Sequence, residues 1–155
     1  YMTLYGSGIV TNYLFKKGRL AFDFESINLT GEDWIEFNMW PNSGNTNFHL
    51  HFYANKESNF TCGGSGLNWT QKTFTWTSEQ TNVVKKIEFL VVNKEEDSNA
   101  LVLKLIIDGV EVAVLDNNIT DPYATEPGAP VYFRMHTTNK ASNFTVKSIT
   151  WEPVE

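Results

Sequence analysis

Apolar and polar residues alternate one for one through Thr46–Lys56, TNFHLHFYANK. Phe48, Leu50, Phe52 and Ala54 fall in one phase; Asn47, His49, His51, Tyr53 and Asn55 fall in the other. A period of two is that of a β-strand with one face in a core and the other open. The same period runs through Arg19–Leu29, with Leu20, Phe22 and Phe24 inward and Ala21, Asp23 and Glu25 outward. In Trp34–Trp40 it sets Ile35, Phe37 and Met39 against Trp34, Glu36, Asn38 and Trp40. In Trp69–Thr77 it sets Trp69, Gln71, Thr73 and Thr75 against Thr70, Lys72, Phe74 and Trp76. Ile87–Asn93 is apolar in both phases, as a central strand is. No stretch carries a convincing 3.6-residue apolar stripe, so no substantial helix is expected.

Turn chemistry divides these segments. Pro41-Asn42-Ser43-Gly44-Asn45 is dense in turn formers, so Trp34–Trp40 and Thr46–Lys56 are expected to form a hairpin with their open faces side by side. That register would bring Asn38, Trp40, His49 and His51 onto one surface. Asn28–Asp33 reads as a second turn, and Ser58–Asn68, with Gly63, Gly64 and Gly66, as a loop or a bulged strand. Asp108-Gly109 fits a two-residue type I′ turn inside a Leu101–Leu115 hairpin. Pairing outward from it puts Leu103, Leu105, Ile107, Val110, Val112 and Val114 on one apolar face. Lys94–Asn99 is expected as a charged loop and Asp116–Pro130 as a long turn-rich one. Val131–Thr137 and Asn143–Trp151 are the last strands, and Tyr1–Lys17 supplies a short edge strand or two. The whole predicts an all-β fold: a single antiparallel β-sandwich of about ten strands spanning residues 1–155.

Composition narrows the partners. The 155 residues carry 11 Phe, 6 Tyr and 5 Trp, which favours strands. A net charge of −6 argues against nucleic acid and anionic membranes. No apolar run reaches the ~20 residues a membrane helix needs. The first residues, YMTLYGSG, resemble neither a signal peptide nor a natural start, so a trimmed or processed chain is expected. With one cysteine, Cys62, no intrachain disulfide can form, which taken alone leans cytosolic. Five Asn-x-Ser/Thr sequons, at Asn28, Asn59, Asn68, Asn118 and Asn143, pull towards secretion and are the candidate glycosylation sites. The balance favours an extracellular domain.

The chemistry concentrates in the polar phase of Thr46–Lys56. His49, His51, Tyr53 and Asn55 are neutral donors and acceptors, the groups that grip sugar hydroxyls; a flat aromatic would take the C–H face of the ring. Trp40, Trp69 or Trp76 can supply it, while Trp34 and Trp151 are expected to serve packing or the surface. The bland alternative is a solvated strand face. A metal reading competes: His49-x-His51 points two imidazoles one way, with His136 as a third ligand. Gly44-x4-His49-x-His51-x5-Glu57-x5-Gly63, with Pro127-Gly128, His136 and Asn139 downstream, loosely resembles the metal motifs of cupins. Glu25 and Glu36 form no paired-acid motif, and no nucleophile or phosphate-loop pattern is present. Cys62 has no nearby base in sequence, so a partly buried thiol is expected.

This layout resembles a galectin. The family's sugar strand carries His-x-Asn-x-Arg; His51-x-Tyr53-x-Asn55, or His49-x-His51-x-Tyr53, stands there. Trp76-Thr77-Ser78-Glu79 is similar to the Trp-x-x-Glu that comes after it, and Trp69 fits the downstream distance better. FESINL (24–29), Ile107-Asp108-Gly109 and the final FTVKSITW look like other strands of the family. Both signature arginines and the first motif's asparagine are absent, so the resemblance implies a sugar-binding jelly roll without implying β-galactoside specificity. Concanavalin-like sandwiches and carbohydrate-binding modules look similar. The expected protein is a non-catalytic lectin-like domain using His49, His51, Tyr53, Asn55, Trp69, Trp76 and Glu79. It would bind glycans or glycoproteins, use no metal or other cofactor, and is free to form a homodimer. A protein–protein adhesion sandwich without a sugar site, and the cupin-like metalloprotein, are the alternatives.

Overall fold

A computed structural model describes residues 3–7, 18–41, 46–64, 67–95, 100–120, 131–137 and 141–154. The strands are β1 (Thr3–Ser7), β2 (Gly18–Asn28), β3 (Trp34–Pro41), β4 (Thr46–Tyr53), β5 (Lys56–Gly64) and β6 (Leu67–Trp76). A single-turn helix, α1 (Ser78–Thr81), precedes β7 (Lys86–Asn93), β8 (Ala100–Ile107), β9 (Val110–Thr120), β10 (Val131–His136) and β11 (Asn143–Pro153). They form two antiparallel sheets, of six strands in the order β1-β10-β3-β4-β5-β6 and of five in the order β11-β2-β7-β8-β9. The expected sandwich is therefore present, with β1 on an edge and β7 inside its sheet.

Phenylalanines from both layers fill the space between the sheets. Phe22 and Phe89 project from the five-stranded sheet, Phe37 and Phe60 from the six-stranded one, and each is at most 1% exposed. Phe22 meets Phe37 edge-on at 5.3 Å, and Phe89 lies 5.7 Å from Phe37 and 5.9 Å from Phe60. These are the separations at which aromatic pairs attract. Leu50, Phe52 and Cys62 are buried in the same core, so the thiol is enclosed rather than partly open.

The Asp108-Gly109 turn is type I′: φ is +48° at Asp108 and +81° at Gly109. Asp108 Oδ1 accepts the Lys85 and Lys86 N–H groups at 2.9 and 2.8 Å, tying the turn to the start of β7. The expected face of the hairpin is corrected beyond its first pairs. Ile106 opposes Glu111 but Leu105 opposes Ala113, so Val112 is an extra residue on β9. Such a bulge reverses inward and outward beyond it. Ala113 and Leu115 enter the core, Val114 comes opposite Lys104, and Val110 is 62% exposed.

Of the two readings of Ser58–Asn68, the bulged strand holds for the described residues: they belong to β5 and β6, with a register shift between Cys62 and Gly64. Two further expectations change. β4 stops at Tyr53 instead of running to Lys56. Ala54 turns into the core, and Asn55 takes φ +59°, a left-handed conformation that asparagine tolerates well. Ser58 Oγ accepts the Tyr53 N–H at 2.8 Å, and the Asn55 N–H donates to the Trp76 carbonyl at 3.0 Å. β9 extends to Thr120, into the expected 116–130 loop, whose remainder lies outside the described residues.

Candidate functional site

The hairpin expected from the turn at 41–45 is formed. Its register sets Trp34 opposite Tyr53, Glu36 opposite His51 and Asn38 opposite His49. On the other side of β4, His49 pairs with Thr61 and His51 with Asn59, which face Gln71 and Thr73 of β6. Because Leu50, Phe52 and Phe60 are buried between the sheets, this second set lies on the outer face of the six-stranded sheet. His49, His51 and Tyr53 are half-buried there, as are Trp34, Glu36, Asn59 and Thr61.

The rings form a continuous row. Trp34 lies 5.1 Å from Tyr53 and 6.4 Å from His51, centroid to centroid. Tyr53 lies 6.3 Å from His51, and His51 meets His49 edge-on at 6.4 Å. Lys56 Nζ sits over the Tyr53 ring at 5.1 Å, a cation–π contact. Trp34 Nε1 is buried without a hydrogen-bond partner. Among the side chains described, charge on this face comes from Glu36, Glu57 and Lys56, and Arg134 of β10 stands opposite Asn38 in the register. On the other sheet the Lys94 ammonium donates to Asp116, which raises its pKa above the ordinary lysine value.

The structure unites His49, His51 and Tyr53 and separates several of their expected partners. Asn55 is in the turn after β4, outside the row. Trp76 lies on the opposite face, with its indole edge-on to the core ring Phe52 at 5.7 Å and to Phe74 at 6.2 Å, so the stacking role expected for it is corrected. Glu79 is exposed on α1. The Trp76-Thr77-Ser78-Glu79 run belongs to a helix start, where Thr77 Oγ1 accepts the Gln80 N–H and Gln80 Oε1 accepts the Thr77 N–H. Trp69 stands in β6, two positions before Gln71 and in its phase; its side chain, with those of Trp40 and His136, lies outside the described residues.

Trp34 is the residue that sequence reasoning misses. Its phase with Glu36 and Asn38 is legible, and the hairpin register makes it the neighbour of Tyr53. Asn59, opposite His51, shows in the sequence only as a sequon. Asn28 and Asn143 are exposed and face one another across β2 and β11. The side chains of Asn68 and Asn118 lie outside the described residues. Among the described residues, no three His, Cys, Asp or Glu side chains converge as a metal site would require. No helix among them is long and apolar enough to cross a membrane.

No protein-family model matches this chain, and no curated protein matches its sequence. Solved structures do match. A human galectin-16 variant superposes with TM-score 0.56 at 11% identity, over 99% of this chain and 95% of that one. Sheep galectin-11, in complex with glycerol, gives 0.51 at 8% identity, over 97% and 96%. The CBM2 module of the evolved Dit protein of Lactobacillus casei BL23 phage J-1 gives 0.56 at 9% identity, over 96% of this chain and 67% of its own. The fold is a galectin-like jelly roll.

Proposed function

We propose that this chain is a non-catalytic carbohydrate-binding domain whose site is the outer face of the six-stranded sheet. The observation that carries the reading is the row Trp34–Tyr53–His51–His49, half-buried on a face whose opposite side is core. Imidazoles, a phenol, an amide and a hydroxyl on neighbouring strands suit a polyhydroxylated ligand, because each hydroxyl both donates and accepts. The indole offers the apolar contact that sugar rings require. The galectin and CBM2 likenesses support such a use of the fold. Its partners would be glycans or glycoproteins, and its setting extracellular.

The test is a glycan array followed by titration of His51→Ala. The imidazole lies in the row, outside the core, so its removal is expected to weaken binding about tenfold. The melting temperature should stay unchanged. Glycan binding that survives this substitution takes the ring row out of the site. An array without a hit overturns the reading and favours the adhesion alternative.

A further inference from the structure

We propose that Trp34 forms the platform on which a pyranose ring of the ligand stacks, with the Tyr53 hydroxyl beside it, so that the saccharide lies over β3 and β4 and not beside Trp69 on β6. This rests on the carbohydrate reading and assigns the place and kind of sugar within it.

Trp34 is half-buried, yet its Nε1 is fully enclosed and unpartnered. The indole therefore shows solvent its hydrocarbon and none of its polar edge. That surface suits the C–H face of a pyranose and offers hydroxyls nothing. Tyr53 lies 5.1 Å from it, tilted by 39°, and Lys56 Nζ sits over the phenol ring at 5.1 Å. The Tyr53 ring is engaged by these two contacts, and its contribution to a ligand is its hydroxyl. The next pair along the hairpin, His51 and Glu36, supplies an imidazole that donates and accepts and a carboxylate that accepts. Apolar platform and polar partners adjoin in successive rows of one hairpin.

Trp69 is too far away to share that ring. His51 is level with Asn59 of β5 and Thr73 of β6; Tyr53 lies two positions beyond His51, and Trp69 precedes Thr73 by four, a separation of six positions. That is about 20 Å along the strands, with two inter-strand spacings of about 4.8 Å across them. The gap is several times the width of a pyranose. Trp76 lies on the wrong face. An uninterrupted C–H face is the feature the platform selects.

The experiment uses an array of neutral oligosaccharides ending in β-galactose, β-glucose or β-N-acetylglucosamine. The strongest binder is then titrated into wild type, Trp34→Ala, Trp34→Phe and Trp69→Ala, with melting curves for each. Trp34→Ala is expected to lose about tenfold in affinity, while Trp69→Ala stays within about twofold. Trp34→Phe keeps an apolar ring without the enclosed donor and retains most of the binding. If Trp34→Ala fails to fold, 5-fluorotryptophan labelling decides: the fluorine resonance absent from W34F moves when wild type is titrated. Wild-type binding with Trp34→Ala within twofold, or fluorine shifts confined to other tryptophans, overturns this placement and leaves the carbohydrate reading standing. Absence of any binder overturns both.

Discussion

Ser58 is fully buried, and its hydroxyl accepts the Tyr53 N–H where the β4–β5 ladder breaks for the turn. Ser58→Ala strands that donor at the end of the ring row. An unsatisfied buried backbone group costs about 1–3 kcal/mol, so urea unfolding should show a loss of that size. Amide exchange at Tyr53 should accelerate with it. At this scale the sequence is readable where phase alone decides. His49, His51 and Tyr53 oppose Leu50 and Phe52, as their alternation requires. Asn55 escapes that reading because alternation continues formally through a turn; the stop is made by Ala54 entering the core and Asn55 accepting a positive φ. Trp76 escapes it because motif spacing and phase disagree there, and phase wins. It shares the phase of Phe74, and both pack against the core.

The β8–β9 hairpin depends on its turn. Gly109, at φ +81°, has open space where a Cβ would stand, so a substitution there meets strain and no clash. Gly109→Ala should cost about 1–2 kcal/mol, the penalty of a left-handed conformation in a residue with a Cβ. A drop in the denaturation midpoint with an unchanged m-value would check it. Asp108→Ala frees the Lys85 and Lys86 N–H groups, which are solvent-accessible, and should cost less than burying them would, about 1 kcal/mol by the same assay. The Asp-Gly pair announces this turn in the sequence. The bulge at Val112 does not announce itself, because Val110, Val112 and Val114 satisfy a regular register as well as an irregular one. What favours the bulge is tertiary: it puts Ala113 and Leu115 in the core.

Across the molecule, Phe89 touches Phe22, Phe37 and Phe60 and so joins the two layers. Phe89→Ala should cost about 3–5 kcal/mol, a large share of the roughly 5–15 kcal/mol typical of a domain. A melting temperature lowered by many degrees, with the wild-type circular dichroism spectrum kept below the transition, is the expected result. Two layers are legible from the alternating phases, and so are the pairs joined by short turns. The position of β10 between β1 and β3 is not, because a pairing between distant segments leaves no mark in local pattern. That insertion also matters for synthesis. The nascent chain releases β3, β4, β5 and β6 in succession, and neighbours in order are neighbours in the sheet. The β3 flank, beside Trp34, then waits unpaired until Val131–His136 leaves the ribosome. An open flank of this kind recruits stray strands, so the side of the sheet that carries the ring platform is exposed to mispairing while the chain is being made.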